Sequence, residues 1–279
     1  MRILITGAEG QLGRELVAAF PGHEVVGTGR DTVDVEDRDS VLVAMTTLRP
    51  DAVVHAAAWT DVDGCEVEPH RALRVNALGT RHVAHGARLV GARLCYVSTD
   101  YVFAGDARRP YTEWDETGPI SSYGRSKLGG ERELDPASTI VRTSWLCGRH
   151  GPNFVKTMLR LAGERDELEV VDDQHGCPTF ADDLAGAIAM LVLERLPGTF
   201  HVTNQGRTTW FELARETLAA AGQDPGRIRP VPSAELRPAR PAPRPAWSVL
   251  DNAALRLSGL PLLADYHEPL GRLVKELVG

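Results

Sequence analysis

The first thirteen residues, MRILITGAEGQLG, place a short apolar run directly before three glycines at a spacing of three residues. RILIT has the length and β-branched content of a buried strand, and RELVAAF after the glycines has its apolar residues at helical spacing. A strand, a glycine loop and a helix in this order allow a tight turn, a close backbone approach to a pyrophosphate, and a helix N-terminus that favours an anion. We therefore predict that Gly7, Gly10 and Gly13 form a dinucleotide phosphate site, the alternative being a structural turn.

Strand and helix patterns alternate through the first half of the chain. EVVGTG, DAVVHAAA and LCYVST read as strands, SVLVAMTTL and ALRVNALGTRHVAHGARLVG as helices, and TIVRTSWL as a further buried strand. Such alternation implies right-handed crossovers and a parallel sheet covered by helices on both faces. The predicted fold class is α/β, a Rossmann-type doubly wound parallel sheet.

The pattern becomes less regular beyond Gly148, which predicts a smaller, mixed α/β second half. NFVKTMLRLAG, DDLAGAIAMLVLERL and WFELARETLAAAG read as helices, and LEVVDDQ reads as a strand. The run RPVPSAELRPARPAPRPAW is dense in proline, which lacks a backbone donor and fixes φ, so we expect an extended ordered loop.

Charge and cysteine content exclude several classes of protein. The formal net charge of −7, with acids and bases mixed along the chain, argues against nucleic-acid or membrane-surface binding and points to small-molecule partners. The N-terminus has no basic leader followed by a long apolar run, so we expect a cytoplasmic protein. The four cysteines form no CxxC pair and have no histidine at metal spacing, which argues against a disulfide framework or a zinc site.

Lysine is rare in this chain, and one of its three lysines, Lys127, follows Tyr123 by four residues in SSYGRSKLGGE. On a helix the two side chains share a face, either as a solvated surface or as a pair acting on one ligand. A phenol with a pKa of about 10 is a poor proton donor at neutral pH, and a nearby ammonium would lower its pKa. The same ammonium could bind the ribose hydroxyls of a nicotinamide nucleotide.

Two further segments carry candidate ligand contacts. YVSTD ends a predicted parallel strand, where ligands gather, so Thr99 could donate to a substrate carbonyl and Asp100 could hold a sugar hydroxyl; a helix cap or turn is the alternative. After the second strand, Arg30 suits a 2′-phosphate, although Asp31 follows it. NADPH is therefore the expected cofactor, with NADH as the alternative.

Taken together, these segments resemble the extended short-chain dehydrogenase/reductase superfamily and, within it, the dTDP-4-dehydrorhamnose reductases. The resemblance spans almost the whole chain and rests on the order of GAEGQLGREL, AAAWTDVDGCEVEP with RVNALGT, STDYVFAG, YGRSKLGGE, RTSWLCG and VVDDQHGCPT. It implies an NADPH-dependent reduction of the C4 ketone of a dTDP-4-keto-6-deoxy-L-hexose by a monomer or homodimer. Residues 1–148 would bind NAD(P), and residues 149–279 would mainly bind the nucleotide sugar, with some segments returning to the sheet.

The resemblance also implies roles for individual residues. Tyr123 would donate the proton, Lys127 would adjust the pKa of Tyr123, and Thr99 would polarise the carbonyl. Asp100 and Trp145 match sugar contacts, although Trp145 could instead be core packing. The implied dinucleotide contacts are Gly10, Gln11 and Leu12 at the pyrophosphate, Asp34 and Val35 at the adenine, and Ala58, Trp59 and Thr60 near the nicotinamide.

The sequence departs from the family pattern at two places. Trp247 stands in RPAWSVLD where the family usually has asparagine, which keeps open a reductase of a related dTDP-keto-sugar, including a dihydrostreptose-forming type. Some relatives form a dimer bridged by Mg²⁺; Glu15 matches one acidic position, but Asp182 stands where glutamate is usual. A third alternative is a non-catalytic dinucleotide-binding regulatory subunit, against which the intact Thr99, Tyr123 and Lys127 argue.

Overall fold

The computed structural model describes residues 1–279 of the chain. The strands are β1 (Arg2–Thr6), β2 (Glu24–Thr28), β3 (Ala52–His55), β4 (Arg93–Thr99), β5 (Thr139–Thr143), β6 (Leu146–Cys147), β7 (Leu168–Val171), β8 (His175–Gly176), β9 (Thr179–Phe180), β10 (Gly198–His201), β11 (Thr208–Thr209) and β12 (Ile228–Val231). The α-helices are α1 (Gln11–Ala18), α2 (Arg38–Leu48), α3 (Val62–Val67), α4 (Pro69–Leu73), α5 (Gly79–Val90), α6 (Ser122–Glu131), α7 (Phe154–Glu164), α8 (Ala181–Leu193), α9 (Trp210–Ala220), α10 (Ala253–Leu257) and α11 (His267–Val278).

Six parallel strands form the central sheet in the order β10-β5-β4-β3-β1-β2. The chain runs from β1 outward to β2 and then returns to β3 on the other side of β1, so the strand order reverses between β1 and β3. At such a point the connections at the carboxyl ends diverge and leave a crevice for a ligand. The predicted Rossmann-type doubly wound sheet is confirmed.

Alternate residues of the central strands fill two separate cores. Ile3 and Ile5 face the side covered by α1 and α8, where Leu16 and Ile188 are fully buried. Leu4 faces the other side and packs in a cluster with residues of α2 and α5. Burial on both faces explains why the strands read as continuous apolar runs.

The last strand of the sheet comes from the second half of the chain. β10 pairs with β5 in register Gly198 to Thr139, and α8, which precedes β10, packs on α1. The remaining elements of the second half, including α7, α9 and α11, surround two smaller clusters of their own. The boundary at residue 148 remains a prediction.

The helix predicted over ALRVNALGTRHVAHGARLVG is interrupted. α4 ends at Leu73, a π-helical turn covers Arg74–Leu78, and α5 begins at Gly79. The turn contains the buried Asn76, whose amide accepts from Trp59 N at 2.8 Å and donates to Trp59 O at 3.0 Å and Ser126 Oγ at 2.9 Å. The extra residue in this turn thus serves contacts with two distant segments, as π-bulges near functional sites often do.

Two other predictions need correction. TIVRTSWL is not one strand, because Trp145 has a φ of 46° and separates β5 from β6. The proline-rich run is not loop throughout: Arg229–Val231 belongs to β12, which pairs with β7 in a two-stranded sheet whose edges tolerate proline. No helix of the chain combines the length and the apolar composition that a membrane span requires.

Candidate active site

Two adjoining cavities follow the carboxyl ends of the central strands. A cavity of about 310 Å³ lies between the glycine loop and the segment after β2, and a cavity of about 610 Å³ lies between that loop, the end of β4 and the start of α6. Both are lined by Gly7, Glu9, Gly10, Ala56 and Ala58, so they form one continuous cleft. Every dinucleotide, substrate and catalytic residue predicted from the sequence lines one or both of them.

The glycine loop is closed so tightly that its third glycine has no room for a side chain. Gly7 has a φ of 73°, and a Cβ on Gly13 would lie 2.0 Å from Gly7 O and 2.6 Å from the Cα of Ala8. Helix α1 then begins at Gln11 without a side-chain cap at Gly10. Its first N–H groups and its dipole therefore favour an anion in the cleft, and the loop fits a dinucleotide pyrophosphate.

Gln11 also makes hydrogen bonds that its position in the glycine motif does not predict. Its amide donates to Leu146 O at 3.0 Å and accepts from Asn153 Nδ2 at 2.8 Å. Asn153 in turn caps α7 by accepting from Lys156 N. The glycine loop is thus hydrogen bonded to the start of the second half of the chain.

The smaller cavity carries charges of both signs. Arg30 extends beside it and pairs with Glu36 at 3.1 Å and with Asp34 at 3.7 Å, and Arg74 approaches Glu36 at 3.6 Å. The Glu9 carboxylate lies against Gly29, and a Cβ added to Gly29 would clash with that carboxylate. Sequence reasoning missed Glu9 and Glu36, which bring negative charge to the place expected for the adenosine ribose.

The larger cavity brings together Thr99, Tyr123 and Lys127. Thr99 ends β4, and α6 begins after Ser121, whose side chain accepts from Gly124 N at 3.1 Å. Lys127 is buried; its Nζ donates to Val97 O at 2.8 Å and lies 4.1 Å from the centre of the Tyr96 ring. The predicted pair on one helix face is thus inside the cleft and is not a solvated surface.

Burial dominates the ionisation of these groups. It raises the pKa of Tyr123 well above the usual range, and the Asp100 carboxylate raises it further, while the Thr99 side chain opposes the rise. The expected lowering of the Tyr123 pKa is therefore wrong for this structure, because Lys127 is directed to Val97 O and the Tyr96 ring. Burial also lowers the pKa of Lys127 to about 7.

Asp100 is buried beside the same cavity. Its Oδ1 accepts from Thr99 Oγ1 at 2.9 Å, and its Oδ2 has no hydrogen-bond partner. Burial raises its pKa to about 6, and the nearby Ser248 and Thr99 side chains oppose this rise. A buried oxygen without a partner fits the predicted role of binding a ligand hydroxyl.

The far wall of the larger cavity is a pair of tryptophans. Trp145 stacks on Trp210 with ring centres 3.6 Å apart and planes at 8°, and Gly176 packs so closely on Trp145 that an added Cβ would lie 2.3 Å from the ring. Sequence reasoning did not assign Trp210 to the site, although Trp210 opens the segment WFELA that follows Thr208 and Thr209 and belongs to the family resemblance. The stacked rings offer a flat apolar surface to a sugar or a base.

The acidic positions that the resemblance associates with Mg²⁺ do not fit a metal ion. Glu15 is engaged by Arg149 through two bonds of 2.8 and 3.0 Å, and Asp182 pairs with Arg272 at 2.9 Å. No group of three or more metal-binding side chains occurs in the chain. The guanidinium groups supply the positive charge that these carboxylates require.

Comparisons with known proteins agree with this geometry. The family model described as RmlD substrate binding domain matches residues 1–278. A protein of Streptomyces griseus named dTDP-4-dehydrorhamnose reductase is 46% identical, with 100% of this chain and 94% of that protein covered. A protein of Streptomyces niveus named dTDP-4-keto-6-deoxy-D-glucose reductase is 46% identical over 93% and 91% of the two chains.

A solved structure shows the same similarity at the level of the fold. The crystal structure of dTDP-4-dehydrorhamnose reductase from Bacillus anthracis in complex with NADP is 40% identical, with a TM-score of 0.95 and 99% of each chain covered. The similarity therefore extends over both halves of the chain.

Proposed function

The chain belongs to the RmlD substrate-binding-domain family, and from this premise we propose that it is an NADPH-dependent reductase of the C4 ketone of dTDP-4-dehydro-L-rhamnose, forming dTDP-L-rhamnose. The observation that carries the proposal is the convergence of Thr99, Tyr123 and Lys127 in a cavity continuous with the glycine loop. A dinucleotide on that loop and a sugar beside Tyr123 would share one cleft.

The dinucleotide, when bound, supplies the hydride. Gly10, Gln11, Leu12 and Gly13 would hold its pyrophosphate at the start of α1, and Arg30 would face a 2′-phosphate after release from its acidic partners. The cleft residues would then hold the ketone and deliver the proton.

The chain's own residues account for the acid chemistry. Thr99 would turn its hydroxyl hydrogen from Asp100 Oδ1 to the keto oxygen, and Tyr123 would give its proton to the same oxygen as negative charge develops there. The raised pKa keeps Tyr123 protonated at neutral pH but makes it a weaker acid, so transfer of its proton would depend on stabilisation of the phenolate that forms. The Lys127 ammonium would stabilise the phenolate that remains, and all three residues are buried from bulk solvent.

Trp247 favours a second candidate, a reductase of a related dTDP-keto-sugar. It lies where the family usually has asparagine, donates from Nε1 to Arg109 O at 2.8 Å, and lies 5.1 Å from the His175 ring. Trp247 directly precedes Ser248, whose side chain lowers the pKa of Asp100. The relative from S. niveus carries the name of such a reductase.

Initial rates of NADPH oxidation on dTDP-4-dehydro-L-rhamnose and on dTDP-4-keto-6-deoxy-D-glucose separate the two candidates. We expect faster turnover of the first sugar, with dTDP-L-rhamnose as the product. Tyr123→Phe should lower kcat by roughly 100-fold or more because it removes the proton donor. The matched control is Tyr101→Phe, a half-buried tyrosine of the same cavity, whose ring centre lies 5.6 Å from that of Tyr123; this substitution should lower kcat at most about tenfold.

Turnover of only the second sugar would transfer the assignment to the related reductase. Equal losses in Tyr123→Phe and Tyr101→Phe would remove Tyr123 from its role as proton donor. Binding of NADPH without turnover of either sugar would contradict the proposed activity.

A further inference from the structure

Glu131 is a buried carboxylate near the active site to which neither sequence nor resemblance gives a role. It is the last residue of α6, four residues after Lys127 and eight after Tyr123. The carboxylate accepts three hydrogen bonds, from Ser98 Oγ at 2.5 Å and from Arg142 Nε at 2.9 Å and NH2 at 2.7 Å. Its side chain is 6% exposed, and that of Arg142 is 8% exposed.

The partners of this carboxylate hold the strand ends that form the catalytic cavity. Ser98 lies on β4 between Val97, whose carbonyl oxygen accepts from Lys127 Nζ, and Thr99. Arg142 is the neighbour of Ser98 on β5 in the parallel register. Glu131 therefore bonds the helix that carries Lys127 directly to the two strands that carry the opposite wall.

We propose that Glu131 is a positioning residue of the reductase: it fixes α6 against the end of β4 and places a negative charge one helical turn from Lys127, where it favours the ammonium form. This inference rests on the proposed function, in which Lys127 acts as a cation. A buried ion pair without such a role would serve stability alone, and the two cases differ in what they do to Lys127.

The electrostatics around Lys127 support the second part of this role. Burial lowers the pKa of Lys127, and Glu131 is the charged group that opposes this. His55 adds no charge of its own, because burial and the Lys127 charge hold its pKa at about 3 and keep it neutral. Lys127 faces the Tyr96 ring and interacts electrostatically with His55 and Glu131; Asp100 and Tyr123 line the same cavity, and Arg142 pairs with Glu131.

Two substitutions separate the effect of the Glu131 charge from the effect of its hydrogen bond to β4. Glu131→Gln keeps the shape and most hydrogen-bonding capacity but removes the charge and leaves Arg142 unpaired. Ser98→Ala keeps the charge and removes only the bond to β4. Glu133→Gln is the matched control, because Glu133 lies two residues further along and pairs with Arg81 at the surface.

The protonation of Lys127 can be measured directly, because the chain has only three lysines. Selective ¹⁵N-lysine labelling gives three Nζ signals, and Lys127→Arg identifies the one that belongs to Lys127. We expect the Lys127 signal to titrate about one pH unit lower in Glu131→Gln, as for loss of one nearby opposite charge, and to be unmoved in Ser98→Ala and Glu133→Gln. An unmoved signal in folded Glu131→Gln overturns the electrostatic role.

Turnover tests the positioning role. We expect kcat to fall roughly 10- to 100-fold in Glu131→Gln and less in Ser98→Ala, with the KM for the sugar changed less than about threefold, because misplacement acts on the chemical step. A wild-type kcat in folded Ser98→Ala and Glu131→Gln overturns it. If Glu131→Gln does not fold, Glu131→Asp replaces it: the shorter side chain keeps the charge, so kcat should fall while the Lys127 titration stays in place, and an unchanged kcat overturns the positioning role.

The lysine titration requires no substrate, so it tests the inference even if neither sugar is turned over. An inactive wild-type protein with the expected Lys127 shift would contradict the proposed function and leave the electrostatic inference standing.

Discussion

Replacing Gly13 by alanine should disrupt the dinucleotide site, because the added methyl group has no space. The Cβ would lie 2.0 Å from Gly7 O, 2.6 Å from Ala8 Cα and 2.8 Å from Ala8 C, and all three are backbone atoms. Real Cβ contacts are no shorter than 3.0 Å, so the loop and α1 must separate by about 1 Å. Overpacking of this kind costs about 1–3 kcal/mol, and it displaces the N–H groups that face the cleft.

Gly186→Ala is the matched control, because Gly186 lies within α8 and an added Cβ meets nothing within 4 Å. Alanine there should raise the free energy of unfolding by about 0.5–1 kcal/mol, since glycine is unfavourable inside a helix. Urea denaturation gives the stability change, and a fluorescence titration gives the NADPH dissociation constant. We expect Gly13→Ala to bind NADPH at least tenfold more weakly and Gly186→Ala to bind it normally; wild-type affinity in folded Gly13→Ala would refute the reasoning.

Three further predictions concern charged groups. Asp63→Asn removes the carboxylate that holds Arg244 at 2.8 and 3.0 Å, so it should destabilise the chain by about 1–3 kcal/mol in urea denaturation and make the 232–246 segment easier to cleave by protease; unchanged stability and cleavage would contradict this. Mg²⁺ and EDTA should leave Tm unchanged, because Glu15 is already bonded to Arg149, and a rise in Tm with Mg²⁺ would count against that interpretation. Since the pKa of Lys127 is about 7, its positive charge is lost as the pH rises through 7, and kcat/KM should fall above that pH. A steady rise in kcat/KM towards pH 9 would contradict this prediction.

The sheet and the composition of the cleft were predictable because local patterns determine them. The glycine spacing, the apolar runs and the helical periodicity of the first half each depend on neighbours in sequence, and together they indicate one doubly wound sheet. YGRSK on a helix and STD at a strand end are likewise local, and the fold brings Thr99 and Tyr123 into one cavity. The motifs therefore predicted which residues belong to the site.

The remaining features depend on contacts between distant segments. The π-helical turn at Arg74–Leu78 places Asn76 against Trp59 and Ser126, which no periodicity within the helix can show. The direction of the Tyr123 pKa shift depends on how deeply the phenol is buried and where Lys127 Nζ is directed. Glu131 appears in the motif only as an acid at the end of a helix, and its importance comes from the two strands that it contacts.

Transfer of deuterium tests the proposed reaction most directly. The protein would be incubated with dTDP-4-dehydro-L-rhamnose and NADPH deuterated at nicotinamide C4 on the transferred face, and the product would be examined by NMR and mass spectrometry. We predict dTDP-L-rhamnose with deuterium at sugar C4, and a roughly 100-fold slower appearance of that product in Tyr123→Phe. Absence of deuterium from C4, or an undiminished rate in Tyr123→Phe, would contradict the account.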